Sequence, residues 1–231
     1  MLYAFNDICY NLLMRVIVAF CLLFKGALLM NGYCQDDKIQ LPQALKESEF
    51  SIEQALNERE SVRKFSSRTI DIRKVSQILW AGYGSNRWGK LTAPSAGAIY
   101  PLSLYALTGN VSGISHGLYR YDNTSHSLVK VSSEDKRAKI SSAAFGQDYI
   151  SQAPLVIVIA ADYESIMSRY GKRGRRYADI EAGHVGQNIY LQAVSLGLGT
   201  VAVGAFDDEA VKGVLGIKDD PLYIMPVGEA E

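Results

Sequence analysis

The chain has 231 residues, 48% of them apolar and 21% charged, a balance that excludes an intrinsically disordered or fibrous protein. Lysine plus arginine and aspartate plus glutamate number 24 each, so no basic excess exists to meet a phosphate backbone, and nucleic acid is disfavoured as a partner. The three cysteines, Cys9, Cys21 and Cys34, lie at the start of the chain, which removes disulfides, thiolate metal sites and cysteine nucleophiles from everything after them.

In chain order, the first feature is a leader. Val16 to Phe24 reads VIVAFCLLF behind Arg15, and apolar character resumes from Ala27 to Met30. Gly32-Tyr33-Cys34 then puts small residues at both cleavage-critical positions ahead of Gln35-Asp36-Asp37. The apolar core is short for a membrane span, and Lys25 interrupts it. Residues 1–34 read as a signal peptide, with a retained N-terminal membrane anchor as the alternative. The domain is then exported, in a periplasm for which a thiol-free chain is suited, and meets a membrane only if the leader is retained. A lipid at Cys34, or a misassigned start that leaves the chain cytoplasmic, stays open.

Residues 35–50 read as a polar linker broken at Pro42, leaving 51–231 as one domain with a substantial core. Ser51-x-x-Gln54 is a capping box for a first helix, with Ile52, Ala55 and Leu56 on its apolar face. The spacing of Ile72, Val75, Ile78 and Leu79 predicts a second helix from about Asp71 to Gly82. A strand is expected over 102–108 and a hairpin over 118–131 around Asn123-Thr124. A helix near 134–145, a buried strand over 155–161, a helix near 162–169 and a basic loop over 171–177 follow. A long helix over 179–196, a strand over 200–204, a helix capped by Asp207 and a strand over 222–227 close the chain. Interleaved strands and helices place the fold in the α+β, or mixed α/β, class. His116, His126 and His184 show no metal-ligand spacing and read as surface or packing residues; no metal is implied.

Three separated segments carry the chemistry. Arg59-Glu60-Ser61-Val62-Arg63-Lys64-Phe65 sets two guanidinium groups four residues apart at a helix C-terminal end. Such a pair grips a phosphate or a polar ring edge by charge-assisted hydrogen bonds, or is a solvated helix end favoured by the macrodipole. Ala93-Pro94-Ser95-Ala96-Gly97-Ala98-Ile99-Tyr100-Pro101 is a loop of small residues that a planar ring can approach closely, or a simple turn. The third runs from Arg176 to Asp207, a long helix, a Gly-Leu-Gly turn and a glycine-bearing strand end that either faces a ligand or packs closely.

Together and in this order the three segments resemble the nitroreductase family. The first is similar to its opening Arg-x-Ser-x-Arg-x-Phe signature, and the form Pro-Ser-Ala-Gly-Ala-x-Tyr-Pro resembles the SagB-type, azoline-dehydrogenase branch. The resemblance implies a central, mainly antiparallel sheet flanked by helices, an interlocked homodimer and FMN as cofactor. It assigns Arg59, Ser61 and Arg63 to the flavin, and Pro94, Ser95, Ala96, Gly97 and Ala98 to the flavin of the other subunit. Ala202, Val203, Gly204 and Ala205 fall where the family's backbone faces flavin N5 and the ring edge, and Gln147 where family members contact the isoalloxazine or ribityl group. Arg173, Arg175 and Arg176 are weaker candidates for an anionic substrate or the phosphate, and Arg87 and Lys90 for the substrate side; charged loops are more often simply solvated. Tyr100 is expected to pack.

The chain departs from the pattern at its end. Many nitroreductases finish with basic residues that hold the FMN phosphate, whereas this one stops at Gly228-Glu229-Ala230-Glu231, which leaves the phosphate to Arg59, Arg63 and the basic loop. The implied activity is ping-pong hydride transfer through FMN to or from a small-molecule or peptide substrate, with NAD(P)H as the family's usual donor and no catalytic side chain named. A non-catalytic flavin- or ligand-binding module on the same fold is the alternative, and a membrane-anchored structural protein a third.

Overall fold

The computed structural model describes residues 38–231; the expected leader lies outside them. Among the described residues, no helix is long and apolar enough to cross a membrane.

Seven strands form one sheet: β1 Lys38–Gln40, β3 Leu102–Thr108, β5 Gly117–Asp122, β6 Ser127–Ser132, β7 Leu155–Ala161, β8 Gly199–Thr200 and β9 Asp220–Gly228. Their order is β1-β6-β5-β3-β7-β9-β8, and every neighbouring pair is antiparallel. Two short strands, β2 Ile70–Asp71 and β4 Val111–Ser112, pair separately in parallel. The expected mainly antiparallel sheet flanked by helices is what the chain forms.

The central strand β7, LVIVIAA, is buried along its whole length, and its two-residue period divides it between two cores. Leu155, Ile157 and Ile159 face a cluster that includes Val75, Ile78 and Leu79 of helix α2 (Ile72–Tyr83) and Ala182, Val185 and Ile189 of helix α6 (Arg173–Ser195). Val156, Val158 and Ala160 face Ile140 of α3 (Arg137–Ala143), Ile150 of α4 (Tyr149–Gln152), and Val211 and Leu215 of α7 (Asp208–Leu215). Helices on both faces explain why the strand reads as a continuous apolar run.

Two helices are capped as expected. Ser51 accepts the Gln54 N–H at the start of α1 (Ile52–Glu58), and Asp207 accepts the Ala210 N–H at the start of α7; Asp71 caps α2 as well, through the Arg73 N–H. Four expectations need correction. The helix expected near 134–145 is shorter, running as α3 from Arg137 to Ala143. The strand at 200–204 is cut to two residues plus an isolated bridge from Val203 to Ile224. The basic residues from Arg173 on are helical, because arginines are good helix formers and only Gly171, at φ 56°, and Lys172 separate α5 (Tyr163–Tyr170) from α6. A Cβ on Gly174 would stand 2.9 Å from the Ile166 backbone, so this glycine lets the two helices close on each other.

The fourth concerns the linker. Residues 38–50 are part of the domain: β1 extends the sheet, and Leu41 and Ala44 are buried. Gln77 accepts the Leu45 N–H at 2.8 Å and donates back to the Leu45 carbonyl at 3.0 Å. The Ser76 hydroxyl donates to Pro42 O, and His126 lies with Nε2 3.0 Å from that oxygen and Nδ1 2.8 Å from the Tyr121 hydroxyl. Polar letters read as a linker because their partners are distant in sequence.

Burial holds the His126 ring below its ordinary pKa of 6.5, against the pull of the Pro42 hydrogen bond. The unfolded chain then binds the proton more readily, so this contribution to stability is complete above pH 6.5 and is lost as the pH falls through the folded value. Thermal melts between pH 7.5 and 5 should show a loss of stability on acidification that His126→Asn reduces; identical slopes would place the linkage elsewhere.

Candidate functional site

The first motif turns extended as α1 ends. Arg59 leaves the helix with φ −61° and ψ 123°, its N–H still bonded to Ala55 O. The chain then runs beside β8: Ser61 bridges Thr200, and the Val62 N–H donates to Thr200 O at 2.9 Å. Gly199 permits this approach, since a Cβ there would lie 2.5 Å from the Val62 side chain. Phe65 bridges Ala230, so the chain end lies along the same segment.

One tyrosine ties these pieces together. The Tyr190 hydroxyl of α6 lies 2.9 Å from Ser61 Oγ and accepts the Ala202 N–H at 2.9 Å, with the Arg59 guanidinium 5.3 Å from its ring centroid. The Ala202 N–H faces away from β9 and bonds the helix, while the next residue, Val203, exchanges both backbone bonds with Ile224 in the register of the β8–β9 pair. Beyond it, Gly204 and Ala205 are exposed, and their N–H groups have no acceptor among the described residues. Neither Arg59 nor Arg63 has a carboxylate partner there: the acidic tail is engaged elsewhere, Glu229 meeting Arg68 at 3.0 Å and Lys74 at 3.8 Å. Two uncommitted guanidinium groups and two free N–H groups on adjoining segments suit an anionic, planar ligand with acceptor edges.

Gln147 has a different position. Its amide donates to Ala144 O at 2.8 Å and Ala205 O at 2.9 Å, and its carbonyl accepts the Tyr149 hydroxyl. The side chain is thus occupied within the protein, where it fixes the backbone beside Gly204.

The Pro94–Ala98 loop forms on the other side of α6. Ser95 Oγ accepts the Tyr100 N–H at 2.9 Å, and Gly97, Ala98 and Tyr100 all take left-handed φ, at 60°, 54° and 56°. Left-handed Ala98 and Tyr100 are strained. A Cβ on Gly97 would lie 2.6 Å from the Tyr170 hydroxyl, and the Arg169 guanidinium donates to Gly97 O at 3.3 Å. Tyr100 packs edge-on against Tyr83. Of the weaker candidates, Arg175 stacks on Tyr163 and Arg87 on Trp88, while Lys90, Arg173 and Arg176 are exposed.

Under this loop lies a buried acid. Glu181 is 1% exposed and accepts the Tyr83 hydroxyl at 2.6 Å, while its second oxygen has no partner. Burial pushes the carboxyl above its ordinary pKa, against the pull of the nearby Ser95 hydroxyl, the Tyr83 hydrogen bond and His184.

The family model described as Nitroreductase family matches residues 56–229. The chain belongs to the nitroreductase family. It is 45% identical over 192 residues to a Methanocaldococcus jannaschii protein named as a nitroreductase, covering 83% of this chain and 96% of that one. It is 27% identical over 191 residues to the trifolitoxin operon protein TfxC of Rhizobium leguminosarum, spanning 75% of this chain and about half, 54%, of that protein. A solved structure from Ralstonia eutropha, also named as a nitroreductase, superposes with a TM-score of 0.75 at 27% identity, over 85% of this chain and 90% of its own.

Within one chain, then, Ser61 and Ala202 are brought to a single hydroxyl, while Ser95 is anchored elsewhere. Tyr190 and Glu181 are the residues that sequence reasoning passed over. Tyr190 lay unremarked within a long helix, but Glu181 left a signal: it sits in the stripe Ala178, Ala182, Val185 and Ile189, where an acid is out of place. Tyr190→Phe should leave Ser61 Oγ and the Ala202 N–H without their partner and cost about 1–2 kcal/mol of stability. Denaturant melts check this, and an unchanged midpoint would mean that the shared hydroxyl does not hold the segments together.

Proposed function

We propose that this nitroreductase-family chain is an oxidoreductase that binds FMN at the Tyr190-centred site. The observation that carries the reading is the meeting of Ser61 and Ala202 on one hydroxyl, with Arg59 and Arg63 unpaired and the Gly204 and Ala205 N–H groups free beside it. When bound, FMN supplies two-electron hydride chemistry in two half-reactions with a donor and an acceptor. Arg59 and Arg63 hold its phosphate or polar edge, and the N–H groups after Val203 meet the acceptor edge of its ring. Gln147 acts one step back, by fixing Ala205. Placement and electrostatics are the protein's contribution; no side chain is assigned an acid or base role.

The Pro94–Ala98 loop enters this reading through a second subunit. Glu181, whose carboxyl lies near Ser95 of the loop, and Tyr190, which bonds Ser61, are nine residues apart on α6, about 13 Å along the axis and about half a turn around it. One chain's loop and its own arginine segment thus face different ways, which supports a site shared between two copies. Exposed Ile52, Leu56 and Ile180 support the homodimer further. NAD(P)H as donor, a small-molecule or peptide acceptor and the SagB-type branch belong to the proposal on the family resemblance and the residues 93–101. Export belongs to it on the apolar run before Cys34 and the thiol-free remainder.

The purified protein should be yellow, with FMN near one per chain. Arg59→Ala and Arg63→Ala should each weaken FMN binding by about 1.5–3 kcal/mol, the worth of a hydrogen bond to a charged group. Full flavin occupancy of both variants on dilution would move the grip elsewhere, and a colourless wild type that takes up no added FMN would end the flavin reading.

A further inference from the structure

Phe145 departs from two local rules at once, and it does so beside the proposed flavin site. It follows the C-cap of α3 with φ 57°, and it is 72% exposed. A left-handed residue in this position usually ends a helix as glycine, because a Cβ is disfavoured there. The end of α3 has the bonding of that motif, the Gly146 N–H donating to Ser141 O at 3.0 Å across Phe145. Gly146 is left-handed as well, at φ 75°. The chain thus sets a phenylalanine in the first of two adjacent places that suit glycine.

The turn is pinned to the strand end of the flavin site from both sides. Ala143 O accepts the Asp207 N–H at 2.9 Å, and Gln147 Nε2 donates to Ala205 O at 2.9 Å. Ser141 Oγ closes the turn by donating to Gln147 O at 3.0 Å. Phe145 is at the apex, between two flanks that are bonded to residues 205–207. Among the described residues the apex meets little: a Cβ on Gly146 would find no atom within 4 Å, and Phe145 belongs to neither core cluster. A singly exposed phenylalanine is ordinary on a protein surface. One that is also held in left-handed backbone gains nothing within the chain to offset the strain, and such local conflicts gather at functional sites.

We propose that Phe145 is a specificity-determining residue whose ring covers a planar aromatic substrate at the flavin site. The proposal rests on the flavin reading and narrows its acceptor to a small molecule with a flat π face, which an aromatic ring holds by offset stacking or edge contact. Glycine at this place would relieve the backbone strain and lose the contact.

The test uses the full chain loaded with FMN and kept oxidised, so that binding is read without turnover. Calorimetry measures the affinity for 1,4-naphthoquinone, which is planar, and for 1,4-cyclohexanedione, a puckered diketone with no aromatic face. Wild type should prefer the quinone. Phe145→Gly and Phe145→Asn, both suited to left-handed backbone, should weaken quinone binding about tenfold and bring the two affinities together. Phe145→Tyr should keep the wild-type preference. Phe145→Gly should also raise the thermal midpoint by about 2–4 °C as the strain is relieved. A lower midpoint would make the ring part of the packing, within the chain or between copies, and would overturn the proposal. FMN uptake with unchanged quinone affinity in Phe145→Gly would end this proposal alone, whereas a chain that takes up no FMN would end the flavin reading and this one with it.

Discussion

The shared hydroxyl of Tyr190 is the contact on which the candidate site depends. It meets Ser61 after α1 and the Ala202 N–H after β8, two segments 141 residues apart that no turn or hairpin would join. Its effect is directional. It fixes the Ala202 backbone through an N–H that faces away from β9, and the exposed N–H groups that follow, at Gly204 and Ala205, have no acceptor among the described residues. Gln147 then fixes the far side of the same backbone.

Helix α6 gives this contact its reach, because it borders both segments: Tyr190 bonds the arginine segment, and Glu181, half a turn away, lies near Ser95 of the Pro-Ser loop. On the proposed reading this spacing is what makes a single chain an incomplete site.

Much of this was legible in the sequence, for reasons visible in particular residues. Strand β7 could be read from LVIVIAA because both its faces are buried, and α2 from the spacing of Val75, Ile78 and Leu79. The motif segments were legible as letters, and the family assignment through them. What escaped was pairing over long sequence distance. Residues 38–50 read as a linker because β1 meets β6 and Leu45 meets Gln77 only in the fold. The acidic end read as a charge placed against a phosphate, whereas Glu229 is turned to Arg68 and Lys74. The basic run after Gly171 read as a loop because solvated arginines look alike on a loop and on a helix.

The central claim is that two chains complete one site, and mixed dimers test it most directly. Arg63→Ala cripples the segment expected from one subunit, and a bulky Gly97→Phe the loop expected from the other; each variant alone should hold little FMN. When the two are unfolded together and refolded, random pairing puts both lesions in one site of each mixed dimer and leaves the other intact. FMN should return to about a quarter of all sites. A mixture that binds no more flavin than the separate variants would contradict the shared site.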